Sequence, residues 1–271
     1  MRSNLAIWCI TVAIWLVQST GSAFADAPRD TVTPGLPGIA LIIDDLGNQR
    51  SQGLRAISLP GPITYAFLPF GPHTAVLARK AHASNKEIML HLPMQALDPA
   101  HKHVEPGTLT IDMSQQQFME TLEQSLAAVP HVSGLNNHMG SLMTRHPGNM
   151  AWLMEAISQR GDLFFVDSRT THFTVAKQLA TEYGIPSISR NVFLDNQPHP
   201  EAIRAQFRRL VEIARRDGTA VGIGHPQAAT LQVLAEELEK LPQQGIQLLP
   251  VSSLIELHNE RRLAWQTSTS P

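Results

Sequence analysis

The sequence predicts an α/β fold: one barrel of parallel strands, related to the (β/α)8 type, with helices on its outside. Three observations carry this expectation. Short apolar runs alternate with helix-favouring segments about seven or eight times between residues 38 and 262, and that alternation means parallel pairing through helical crossovers. Several runs are apolar at consecutive positions, as strands covered on both faces must be. An open doubly wound sheet gives the same alternation. No G-x-G-x-x-G follows the first run, however, which removes the usual dinucleotide-binding form of that sheet.

The elements follow in order. Residues 1–25 read as a secretory signal: Arg2, then the apolar run Leu5 to Val17, then a small and polar stretch ending Ala23-Phe24-Ala25. The run is shorter than the roughly 20 residues of a spanning helix, so cleavage after Ala25, with no membrane anchor remaining, is expected rather than an uncleaved anchor. The single cysteine, Cys9, falls inside this segment. The mature chain would then have no thiol, and neither disulfides nor Cys-based metal sites. Residues 26–37 (DAPRDTVTPGLP) read as a linker. The strand-like runs are then IALIID, ITYAFLPF, EIMLHLP, SGLNNH, LFFVD, PSISRNVFLD, AVGIGH and IQLLPV.

Between them lie helical patterns. Ser114 is placed to cap a segment with Phe118, Leu122 and Leu126 on one face. A second starts at Pro147 and stops near Gly161. A third, Pro200 to Arg216, sets Ile203, Phe207, Leu210, Val211 and Ala214 on one stripe, and a fourth repeats Leu231, Leu234, Leu238 and Leu241. Residues 263–271 read as a flexible tail.

Composition narrows the function. Lys plus Arg (21) nearly balances Asp plus Glu (23), for a net charge of −2; the basic footprint of a nucleic-acid binder is missing. In a parallel barrel, chemistry gathers at the carboxyl ends of the strands. Here those ends carry Asp44-Asp45, His91, Asn136-Asn137-His138, Asp167-Ser168-Arg169 and His225. Two adjacent carboxylates after five apolar residues resist burial unless a positive charge sits beside them. Imidazoles and carboxylates brought to one rim suit a divalent ion, zinc first. One aspartate would ligate it and the other would take a proton from an activated water. The plainer readings are helix capping for one aspartate, neutral core histidines for His91 and His138, and capping or orientation by Asp167. His73, Arg145 and His146 are rim residues with a weaker case, and His101 and His103 read as a solvated loop.

The Asp-Asp strand end and the segments LHLPM, NNHMGS, FFVDSRT and VGIGHP, in that order, resemble the divergent polysaccharide deacetylases of the YibQ type. These are distant relatives of the NodB-type carbohydrate esterases. The resemblance spans Gly38 to Arg262. It implies a single distorted (β/α)7–8 barrel of the NodB-like type, a divalent metal held by Asp and two His, and removal of acetyl groups from polysaccharide. It implies Asp44 as general base, Asp45 as metal ligand and His225 as the acid that protonates the leaving group. His91 lies where the wider family carries His-x-x-x-His, yet Gln95 stands four residues on, so the second imidazole is assigned to His138. No Arg-Pro-Pro-Tyr segment is present; Asn136, Asn137 or backbone N–H groups are expected at the oxyanion, with Asp167 in the substrate set. The implied protein is an exported, periplasmic or secreted hydrolase of a polysaccharide or peptidoglycan-like glycan. The alternative is a non-catalytic glycan- or partner-binding protein that keeps the barrel. Aspartate-based phosphoryl transfer fits less well, and a glycosidase using Asp44 and Asp167 stays open.

Overall fold

The computed structural model describes residues 32–98 and 105–269. The segment 1–25 with Cys9, the first half of the expected linker (26–31) and the His101–His103 loop lie outside the described residues. The nine strands are β1 (Gly38–Leu46), β2 (Thr64–Phe67), β3 (Glu87–Met94), β4 (Val132–Met139), β5 (Phe164–Asp167), β6 (Ser187–Ser189), β7 (Val192–Phe193), β8 (Thr219–Gly224) and β9 (Gln247–Leu248). Eight pair in the order β6-β5-β4-β3-β2-β1-β8-β7, and β9 pairs with β1. Every ladder is parallel.

The run PSISRNVFLD, expected as one strand, is two. Arg190 N–H bonds to the Asp167 carbonyl of β5 at 3.0 Å, and Asn191 N–H bonds to the Val221 carbonyl of β8 at 2.9 Å. Two successive residues thus bond to opposite sides of a gap. The barrel is open at a seam that only Arg190 and Asn191 cross, which is the distortion from eightfold closure.

Side chains alternate across the strands and define two cores. Ile39, Leu41 and Ile43 pack outward, in a cluster that includes Phe118 of α3 (Gln115–Ala128), Met150 and Leu153 of α4 (Pro147–Arg160), Phe207 of α6 (Pro200–Asp217) and Leu234 of α7 (Ala228–Leu238). Ala40 and Ile42 point inward with Ala66, Met89, Val166, Ile188, Val221 and Ile223. At the amino-terminal end of the barrel that inner core is plugged by Val251, Leu254 and Ile255 of one long helix, Val251–Thr269. The remaining helices, Arg50–Ile57, Thr74–Ala83 and Ala176–Glu182, lack strong periodic stripes in the sequence, and the strands they connect call for them. In chain order they are α1, α2 and α5, and the plugging helix is α8.

Local chemistry fixes the ends. Ser114 and Gln117 form a reciprocal capping box at the start of α3. Gly161 closes α4 in the left-handed conformation at φ 73°. Two expectations change. Residues 32–37 are not a free linker, because the Gln247 amide bonds to Thr33 and Leu36 and Arg261 bonds to the Leu36 carbonyl. Residues 263–269, expected as an irregular tail, continue α8; Leu, Ala and Gln there are good helix formers.

Candidate metal centre and active site

The site is built where β1 breaks its own alternation. Asp44 is an inward residue by parity with Ile42, and Asp45 would point outward. Asp45 instead adopts φ 59°, a left-handed conformation that Asp tolerates better than most residues. Across this point Ile43 pairs with Tyr65 and Leu46 with Phe67, three steps against two. The bulge turns both carboxylates toward the barrel mouth. Met139 (φ 53°) and Arg169 (φ 51°) make the same left-handed exit at the ends of β4 and β5.

Three side chains converge there. Asp45 Oδ1 lies 3.2 Å from His91 Nε2 and 3.1 Å from His138 Nδ1. The two ring nitrogens are 3.0 Å apart, and the ligand atoms of all three residues lie within 4.8 Å of one another. His91 and His138 come from adjacent strands in register, with His138 opposite Pro93. Gln95, at the position of the missing second histidine, is engaged elsewhere. Its side chain accepts from Ile111 N–H and its carbonyl from Leu142 and Met143 N–H. It pins the rim loop, and His138 supplies the imidazole.

Hydrogen bonding sets the direction of the lone pairs. Asn136 donates its amide N–H to Asp44 Oδ1 at 2.9 Å, so its Oδ1 faces His91 Nδ1 at 2.8 Å and must accept from it. A neutral His91 therefore carries its proton on Nδ1 and a lone pair on Nε2. His138 Nε2 faces the Glu105 carboxylate at 3.6 Å, which favours a proton there and a lone pair on Nδ1. Asp45 Oδ1 is buried and accepts no hydrogen bond of good geometry. Three lone pairs thus aim at one point, an arrangement that repels itself until a cation fills it. The donor set fits a divalent metal of the kind that takes nitrogen and oxygen ligands.

The same packing shifts the titrations in the cation-free chain. Burial works against a charged His91, but the charge of Asp44 and the adjoining Asp45 carboxylate outweigh it and push its pKa up to about 9. Burial also works against the Asp45 charge; His138 and His91 overcome this and hold its carboxyl far below the usual range. For Asp44 burial wins over the attraction of His91 and His225 and the Asn136 bond, so its pKa rises. Two adjacent carboxylates therefore have opposite tendencies: Asp45 favours its charged form and Asp44 its protonated form.

His225 closes the mouth from the end of β8. Its Nδ1 is 2.9 Å from Asp195 Oδ1, while Asp195 Oδ2 accepts from His225 N–H (2.7 Å) and Thr230 Oγ1–H (2.8 Å). The Asp195 side chain is fully buried. Burial opposes a charged His225, but Asp195 beside it, with Asp45 and Asp44 further off, keeps its pKa raised. The free Nε2 faces Asp45 Oδ2 at 3.7 Å. Asp45, Gln52, Phe193, Asp195 and His225 are among the residues lining a cleft of 440 Å³.

Three sequence-predicted residues have their side chains engaged by protein partners. Asn136 bridges His91 and Asp44, as above. Asn137 accepts from Ser168 N–H at 2.9 Å and donates to the Met139 carbonyl at 2.8 Å. Asp167 accepts from Arg169 N–H at 2.8 Å and Thr174 Oγ1–H at 3.0 Å. Asn137 and Asp167 share parity with Leu135 and Phe165, which pack outward, so they brace loops behind the rim. Asp195 and Glu105 were missed. Asp195 had a signal, as an acid closing the apolar run VFL; Glu105 lay in a polar loop and had none.

A barrel of parallel strands with Asp and His side chains gathered at its carboxyl rim is the fold of the NodB-like class of carbohydrate esterases. Residues 41–255 match the family model described as divergent polysaccharide deacetylase. The chain belongs to that family. It is 38% identical over 240 residues to the uncharacterized protein YibQ of Escherichia coli (strain K12), covering 88% of this chain and 72% of that one. Among solved structures, uncharacterized protein ATU2773 of Agrobacterium tumefaciens C58 superposes with a TM-score of 0.80 at 22% identity, covering 83% of this chain and 92% of that one. Peptidoglycan deacetylase PdaC of Bacillus subtilis does so at 0.51 and 13% identity, over 88% of this chain and 100% of that one; these likenesses concern the fold.

Proposed function

We propose that the chain is a metal-dependent hydrolase that removes acetyl groups from a polysaccharide of the cell envelope or its surroundings. The observation that carries the reading is the convergence of Asp45 Oδ1, His91 Nε2 and His138 Nδ1 on one point, beside a second carboxylate of opposite titration tendency. A divalent ion, with zinc the first choice for this donor set, would polarise the acyl oxygen and acidify the attacking water. Asp44, held at Oδ1 by Asn136, takes the proton of that water through Oδ2. Water adds to the acyl carbon, and the C–N or C–O bond to the sugar breaks. His225 gives the proton on Nε2 to the departing nitrogen or oxygen, while Asp195 holds Nδ1 and keeps the ring charged until then. The products are acetate and a free amino or hydroxyl group.

Export to the periplasm or beyond is part of the proposal and rests on the signal-like segment 1–25. A second reading, a non-catalytic glycan-binding protein, is favoured by one observation: the side chains of Asn136 and Asn137, the two amides expected at an oxyanion, are committed to protein partners. Acetate release from an N-acetylglucosamine hexamer by metal-loaded protein separates the two. The deacetylase reading expects turnover in the wild type and a loss of about a hundredfold or more in Asp44→Asn. Hexamer binding without acetate, with the metal in place, would contradict it.

A further inference from the structure

Beside the catalytic cleft lies a second cavity of 440 Å³ with a different character. Arg169, His172, Arg190, Arg209 and Gln206 are among its lining residues, and no lining residue is acidic. The cationic groups arrive from three places: the left-handed exit of β5, the seam between β6 and β7, and the middle of α6. Arg169, His172 and Arg209 are exposed. Arg190 is half-buried and fixed, donating to the carbonyls of Ser168 (2.6 Å) and Arg169 (3.0 Å).

One ring joins the two cavities. Phe193 lines both. Its outer side carries the Arg190 guanidinium, 5.0 Å from the centroid, and its inner side meets the His225 ring edge-on at 5.4 Å. A group held by the arginines is therefore one aromatic ring from the proposed acid. That distance suits a substituent on the reacting sugar or its neighbour.

In a chain of net charge −2, so many like charges around one hollow are unfavourable without a counter-ion. Burial and the nearby Arg169 charge pull the Arg190 pKa down, against a smaller opposing effect of Asp44 and Asp167. Forked guanidiniums match planar or tetrahedral oxyanions. We infer that this cavity is a subsite for an oxyanion carried by the glycan, a carboxylate or a phosphate, so that the substrate is an acidic polysaccharide. The inference builds on the deacetylase reading but is tested by binding.

The test is calorimetric titration of the zinc-loaded protein, wild type and the double variant Arg169→Asn, Arg209→Gln. Asn accepts the positive φ at 169, and Arg190, which braces the seam, is left alone. Three probes are used: a neutral N-acetylglucosamine hexamer, a hexamer alternating N-acetylglucosamine with a lactyl-bearing sugar, and an N-acetylglucosamine hexamer carrying one 6-phosphate. The wild type should bind at least one charged probe roughly tenfold more tightly than the neutral one, the scale of a charge-assisted hydrogen bond. The double variant should lose that preference and keep its affinity for the neutral hexamer. Whichever probe shows the preference identifies the group as carboxylate or phosphate. Equal affinities in the wild type, no binding of any probe, or a preference that survives the double variant would overturn the subsite. Acetate release is read in parallel: a charged-probe preference without acetate sinks only the deacetylase reading, and acetate release without the preference sinks only the subsite.

Discussion

Asn136 shows how one side chain sets the chemistry of its neighbours. By donating to Asp44 and accepting from His91, it fixes the tautomer that leaves a lone pair at the metal position. Asn136→Ala should weaken zinc binding by about 10–100-fold, the usual range for outer partners of metal-ligating histidines, as measured by competition with a chromogenic chelator. An unchanged affinity would mean that His91 orients itself. Asp195 plays the equivalent part for His225. A general acid works only while protonated, so activity is lost as pH rises through its pKa. Asp195 raises that pKa, and Asp195→Asn should move the alkaline limb of kcat/KM to lower pH, besides slowing the reaction. A slower enzyme with an unmoved limb would leave Asp195 a purely structural role.

Among elements, the informative comparison is between those the sequence declared and those it concealed. Helices α3, α4, α6 and α7 were legible because each has a cap, start or stop residue or an apolar stripe: Ser114, Pro147 with Gly161, Pro200, and the leucines from Leu231. The stretches that became α1, α2 and α5 are short and weakly patterned, and the strands flanking them had to imply them. The rim residues were legible as a group, since apolar runs ending in Asp, Asn and His are chemically costly. Their division into site and support was not, because it depends on parity. Counting from Ile42, Met89, Val166 and Ile223 places Asp44, His91, Ser168 and His225 inside; counting from Leu135 and Phe165 leaves Asn137 and Asp167 outside. The bulge that brings Asp45 back in has no sequence signature beyond an Asp that tolerates positive φ.

The element farthest from the mouth also has a test. Glu87, half-buried at the start of β3, accepts from Val251 and Ser252 N–H and from Thr64 Oγ1–H, docking the N-terminus of α8 under the barrel. Glu87→Ala removes the acceptor of Ser252 N–H and of Thr64 Oγ1–H and leaves Val251 N–H only Thr64 Oγ1; it should cost about 1–3 kcal/mol. Urea unfolding should show a lower midpoint with the slope retained. An unchanged midpoint would mean that α8 is held by its apolar face alone.

For the molecule as a whole, the open barrel has a mouth where buried carboxylates and imidazoles are worth holding only with a cation between them. In the cation-free chain a proton on His91 serves instead. Its pKa is raised from 6.5 to about 9, so the stability from its ion pairs is complete below the lower value and fades as pH rises through the upper one. A metal entering at neutral pH must displace that proton. Apparent zinc affinity should therefore increase with pH up to about 9, with about one proton released per ion bound near neutrality. The most direct measurement is the metal content of tag-free protein from Asp26 onward after zinc loading and removal of excess, by elemental mass spectrometry, beside a His91→Ala, His138→Ala variant. The structure predicts about one ion per chain in the wild type and none in the variant. A wild type that retains no zinc, or a variant that retains as much, would contradict the assignment of Asp45, His91 and His138 as the metal centre.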